Sequence, residues 1–122
     1  MDTGEYAQVS ISNCTFDSNS AQRHGGAISS LFSLLHLYAS IMHNNSAENG
    51  GAAYLMGVDA NIAGIYADAN TALLGGAMYA ESGQLEFFSI YGNATFSCDF
   101  YNNSAQEGGV MCINFILFIY LF

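Results

Sequence analysis

The stretch Phe16–Ser29, "FDSNSAQRHGGAIS", returns in looser form as "MHNNSAENGGAAYL" from Met42, "ADANTALLGGAMYA" from Ala67 and "FYNNSAQEGGVMCI" from Phe100. Aligned on their shared asparagine, the copies place Asn19, Asn45, Asn70 and Asn103 at one position. Alanine follows two residues later, at Ala21, Ala47, Ala72 and Ala105. A glycine pair closes each copy: Gly25-Gly26, Gly50-Gly51, Gly75-Gly76 and Gly108-Gly109. Three residues before the asparagine stands an apolar anchor: Phe16, Met42, Ala67 and Phe100. The glycine pairs lie 25, 25 and 33 residues apart, a period that marks stacked units.

The unit is made of strands. A helical repeat needs apolar residues at 3.6 spacing over ten or more positions. Between the motifs this chain shows short alternations instead, as in "VSIS" at Val9 and Ile11, "LLHL" at Leu35 and Leu37, and "LEF" at Leu85 and Phe87. Three short strands and three corners fill about 25 residues, which is one coil of a parallel β-helix. Like residues then stack at about 4.8 Å along the axis. Asparagines at a sharp corner tolerate left-handed backbone angles and can bond amide to amide. The alanine suits a narrow interior, and the glycines suit a turn crowded by the next coil. Phe16, Met42 and Phe100 are expected to form an interior column in which Ala67 leaves a gap for neighbours to fill. The third interval carries eight surplus residues within "YAESGQLEFFSIYGNATFSC". They are assigned to a loop around Ser89–Asn93, where Phe88 and Tyr91 offer a contact patch.

Composition narrows the partners. Ten carboxylates face a single cation, Arg23, for a net charge of −9. Phosphate backbones and anionic lipid would repel such a chain, so nucleic acid is excluded as a partner. "MDTGEYAQVS" has neither a basic start nor an apolar run, so it does not read as a secretory signal. Residues 110–122 are nearly all apolar but too few for a membrane-spanning helix, which needs about 20 residues. Residues 1–111 are read as the repeat segment, and 112–122 as a tail that is either a clipped anchor or an end cap. The chain is expected to be a fragment of a longer protein. Cys14, Cys98 and Cys112 form no CxxC pair and are read as small buried apolar groups.

The first copy closely resembles the paired FxxN and GGA[ILV] motifs of chlamydial polymorphic outer-membrane proteins, which are secreted adhesins. The resemblance runs from about Val9 to Met111, with departures. Met42 and Ala67 replace the aromatic residue, Ala53 and Met78 follow the GGA, and the last copy reads GGV. It implies a right-handed parallel β-helix displayed at a cell surface or outer membrane and used for adhesion. Similar repeats occur in surface proteins of protists, so the resemblance does not fix the host. The expected fold is thus all-β, a pectin-lyase-like solenoid of about four coils.

Catalytic and metal readings are weaker. Asp17 and Asp68 share a repeat position with His43 between them, about 9.6 Å apart over two coils, close to the carboxylate spacing of inverting glycosidases. Asp59 and Asp99 fall at other repeat positions, and Arg23 lies away from that column. His24, His36 and His43 occupy three different repeat positions without ligand spacing. No catalytic residue, metal site or cofactor is therefore assigned. Sequons occur at Asn13, Asn44, Asn93 and Asn102. Asn93, in the assigned loop, is the best glycan candidate, because Asn44 and Asn102 adjoin corners that a glycan would obstruct. Cys14 and Cys98 should not be bonded, since three coils separate them by about 14 Å.

The expected function is a non-catalytic adhesion or interaction module facing a host or neighbouring cell-surface protein or glycan. A carbohydrate-active β-helix enzyme and a structural spacer are the alternatives. Exposed coil ends offer a template for self-stacking. Membrane association would come only through missing flanks or the tail.

Overall fold

A computed structural model describes residues 7–87, 98–109 and 111–121, with the main chain alone at 99 and 111–121. Every paired strand among them runs parallel to its neighbour, and none of these residues is helical. Together they wind into an all-β solenoid of about three turns, spanned by the four copies of the motif.

One side of the solenoid is a seven-stranded sheet. Strands β1 (Ala7–Ser12), β4 (Ser33–Tyr38) and β7 (Asp59–Ala63) stack below the second half of β10 (Met78–Phe87). Strands β3 (Ile28–Leu31) and β6 (Ala53–Met56) stack below its first half. The unbroken β10 joins the two stacks, and β13 (Met111–Leu121) lies along its whole length. The main chain of the apolar tail therefore supplies a further rung of this sheet. A second sheet holds β2 (Thr15–Asp17), β5 (Ile41–His43), β8 (Tyr66–Asp68) and β11 (Asp99–Tyr101). The third side pairs β9 (Thr71–Leu74) with β12 (Ser104–Glu107) and continues through single bridges from Thr71 to Ser46 to Ser20.

Alternation along each strand decides what is buried. In β4, Ser33, Leu35 and Leu37 face inward and are buried, while Leu34, His36 and Tyr38 stay partly exposed. The core is a set of vertical columns, because each inward residue sits on its own counterpart. Leu35–Ala60–Leu85 and Leu37–Ile62–Phe87 are two of them. The anchor column follows the expected registration: Phe16 pairs with Met42, Met42 with Ala67, and Ala67 with Phe100. Phe100 meets Phe87 edge to face, with ring centroids 6.3 Å apart.

Left-handed backbone residues stack in four columns, one for each bend of the coil, where the sequence suggests three corners. They are Asn13/Ala39/Gly64, Ser18/Asn44/Ala69/Asn102, Gly25/Gly50/Gly75/Gly108 and Phe32/Gly57/Ser82, with φ between 48° and 68°. This corrects the corner expected from sequence. The motif asparagines do not themselves take the left-handed turn; the residue just before each one does. Reversing the chain one residue early swings the asparagine side chain inward.

The surplus eight residues are also located. Ile62 and Tyr66 are four residues apart, whereas their partners on the next rung, Phe87 and Asp99, are twelve apart. The extra length thus falls between Phe87 and Asp99. The expected contact loop with Phe88 and Tyr91, and Asn93 with it, lies outside the described residues.

Candidate functional site

The repeated asparagines form a hydrogen-bonded ladder through the interior. The Oδ1 of Asn45 accepts from both the backbone N–H (2.9 Å) and the side-chain amide (3.1 Å) of Asn19. Asn70 Oδ1 accepts the same two bonds from Asn45, at 2.9 and 3.0 Å. Asn103 Oδ1 accepts them from Asn70, at 2.9 and 2.8 Å. Each upper amide also reaches back to the anchor carbonyl of the preceding rung: Asn45 to Phe16, Asn70 to Met42 and Asn103 to Ala67. Asn45 and Asn70 are 0% exposed, and four bonds satisfy both hydrogens and both lone pairs of each amide. A buried amide left unpaired would cost about 1–3 kcal/mol for each orphaned group. No buried side-chain nitrogen or oxygen among the described residues lacks a partner.

The glycine pair divides two tasks between its members. Gly50 holds the left-handed turn at φ 68°. Gly51 permits close approach, because a Cβ there would sit inside contact distance of the Gly76 carbonyl on the next rung. A Cβ on Gly76 would meet the Gly109 carbonyl in the same way, whereas at Gly109 the nearest such atom is 3.9 Å away. The motif alanines depart from expectation: Ala21, Ala47, Ala72 and Ala105 are half-buried rather than sealed inside. Motif residues thus shape the coil. Chemistry directed outward must come from the positions between them.

The outer face of the second sheet carries two such columns. Its strands have three residues each, so the anchor points in and both flanking residues point out. One column is Thr15–Ile41–Tyr66, continued by the main chain of Asp99, and the other is Asp17–His43–Asp68–Tyr101. Ile41, Tyr66 and Tyr101 are 44%, 41% and 51% exposed. The two tyrosine rings stand 5.6 Å apart and tilted by 41°. Beside them, Asp68 Oδ2 lies 3.2 Å from His43 Nδ1, and Asp68 Oδ1 accepts from the Asn102 amide at 3.2 Å. Asp17 accepts from the Ser18 hydroxyl at 2.8 Å. The expected Asp17–His43–Asp68 alignment is therefore present. Asp99 stands in the Tyr66 column and Asp59 on the large sheet, so neither joins the pair.

Two further groupings face outward from the large sheet. A shallow cleft across β4, β7 and β10 is lined by Leu34, His36, Asp59, Asn61, Gln84 and Glu86. His36 Nδ1 and the Tyr38 hydroxyl are 3.0 Å apart beside it. Near the glycine corner, His24 stacks on Tyr54 at 4.1 Å, and Tyr54 on Tyr79 at 5.3 Å. Burial raises the Tyr54 phenol above its ordinary value, and the Glu81 carboxylate adds to the rise. The three histidines remain in separate columns. No group of three or more potential ligands among the described residues could hold a metal ion.

Other expectations meet mixed outcomes. Cys14 and Cys98 are not bonded to each other, as the registration requires. Cys14 is exposed rather than buried, and its backbone N–H donates to the buried Ser40 hydroxyl at 3.2 Å. Asn44 and Asn102 do not adjoin the turn but make it. Their side chains lie exposed on the outer surface, bonded to Ser18 and Asp68, so a substituent there would face solvent. The exposed tyrosines escape sequence reading because they do not repeat. The signal is present nonetheless: any residue flanking an inward anchor on a three-residue strand must face out.

Residues 13–31 match the Chlamydia polymorphic membrane protein (Chlamydia_PMP) repeat. No curated protein and no solved structure matches the chain. The matched segment holds the first anchor, the first ladder asparagine and the first glycine pair, which are the parts that build a rung. The match covers 19 of the chain's 122 residues, so what the chain shares with that family is one copy of its repeat.

Proposed function

We propose that the chain is a non-catalytic adhesive module, part of a larger repeat protein displayed at a cell surface or outer membrane. The carrying observation is the division of labour within each rung. Asn45 and Asn70 are wholly buried and fully bonded, so the motif is spent on a rigid scaffold. Variation is left to outward columns, which stack into flat faces suited to a macromolecular partner. Kinship with a membrane-protein repeat supports the surface setting. The rigid scaffold also favours binding, since outward side chains are held in place before contact and less order remains to be gained.

Beads coated with the purified chain test this reading. The expected result is retention on cultured epithelial cells above that of beads coated with an unrelated acidic protein. Equal retention of the two would leave the chain a spacer. Release of reducing sugar from polysaccharide, abolished by Asp17→Asn with Asp68→Asn, would replace the module with an enzyme.

A further inference from the structure

We infer that the outer face of the second sheet is a docking surface for an extended basic peptide segment, with arginines three residues apart. The inference rests on the interaction-module reading and names the partner's chemistry. It begins from the exposed aromatic pair. Tyr66 and Tyr101 present tilted rings 5.6 Å apart on a flat face, with Ile41 exposed beside them. A guanidinium stacks on such rings by cation–π attraction.

The carboxylates beside the rings complete the cationic site. Asp68 shares its column with Tyr101 one rung away, and its two oxygens are oriented by His43 and Asn102. Asp17 lies two rungs from Asp68 in the same column. A guanidinium seated on the Tyr101 ring is therefore within one rung of a fixed carboxylate. The chain carries a net charge of −9, and its sole cation, Arg23, lies beyond the asparagine corner, outside the strands of this face. A basic partner would be drawn in by the field of the whole molecule, and no lysine or arginine of the face itself would compete.

Spacing selects the peptide. Two rungs separate Asp17 from Asp68 by about 9.6 Å. A polyproline II segment repeats its side-chain direction every three residues, or about 9.3 Å. An extended β-strand repeats every two residues, or about 6.8 Å. Arg-x-x-Arg in the first conformation places both guanidinium groups over both aspartates, whereas Arg-x-Arg reaches one.

Fluorescence anisotropy with labelled proline-rich peptides tests the inference on the full chain. Arg-x-x-Arg is expected to bind at least tenfold more tightly than Arg-x-Arg, with binding weakened by added salt. Asp17→Asn with Asp68→Asn should weaken it at least tenfold, and Tyr101→Ala severalfold, with Tyr101→Phe restoring much of that loss. Asp59→Asn with Glu86→Gln removes the same charge from the large sheet and, lowering only the overall field, should weaken binding less than twofold. Thermal melting of each variant checks that it folds. Equal weakening by both aspartate and large-sheet pairs would overturn the inference, as would preference for a neutral oligosaccharide over every peptide. Should beads bearing the Asp17/Asp68 variant still adhere to cells, this face is refuted while the module reading stands.

Discussion

Two corners of the coil share one backbone geometry and differ in every other respect. At the asparagine corner, the residue just after the left-handed turn is the same in each rung. At the corner formed by Phe32, Gly57 and Ser82, the sequence writes three unrelated residues, although each takes a left-handed φ between 48° and 64°. The difference lies in what the side chains touch. Asn45 bonds the rungs on both sides of it, so each asparagine dictates the next. Phe32 is exposed and its ring lies over Gly57, so only the backbone must agree from rung to rung. Repetition in sequence marks side chains that contact their own copies. Repetition of backbone shape alone leaves no such trace.

The contrast can be broken most forcefully at the ladder itself. Asn70→Ala removes the acceptor for the Asn45 N–H and amide, and the donor to the Met42 carbonyl and Asn103 Oδ1. The expected loss is on the order of 4 kcal/mol. Asn19→Ala, at an exposed rung where water replaces the lost partner, should cost under about 1 kcal/mol. Thermal melts followed by circular dichroism compare the two, and equal losses would show that burial does not set the ladder's contribution.

A smaller effect separates the glycines. Gly76→Ala drives a methyl into the Gly109 carbonyl and is expected to cost about 3 kcal/mol. Gly109→Ala meets nothing closer than the Asn103 carbonyl at 3.9 Å and should lie within about 0.5 kcal/mol of the parent. Urea midpoints distinguish them. Similar midpoints would mean that the second glycine of the pair is not held by its neighbour rung.

The least effect, and the only gain, is expected at Ala69. It turns left-handed at φ 57° in the column where Asn44 and Asn102 do the same. Asparagine occupies that region more readily than alanine, so Ala69→Asn should stabilise by about 1 kcal/mol. A lowered melting temperature would show that this corner is set by packing rather than by backbone strain.

These contrasts also explain what the sequence discloses. Ladder, anchor column and glycine pairs are legible because Asn19, Asn45, Asn70 and Asn103 recur in register with Phe16 and Gly25-Gly26. The turn lies one residue earlier than the sequence suggests. Ser18, Asn44, Ala69 and Asn102 share a dihedral angle but not a side chain, so the conspicuous asparagine draws the assignment. The half-buried alanines sit shallower than their size implies, since small size alone does not separate a narrow interior from a shallow surface position. Tyr66 and Tyr101 leave no pattern because they stand at different positions of the rung, Tyr66 before its anchor and Tyr101 after it.

One property of the ladder reaches beyond stability. At each step of the ladder the amide nitrogen gives to the asparagine that follows in the chain, and the amide oxygen receives from the one that precedes. The column is thus a one-way street of dipoles, with unlike chemistry at its start and finish. A whole repeat can be duplicated or deleted during evolution and the current of bonds still closes. A unit introduced upside down, or out of phase by a single residue, would set oxygen against oxygen.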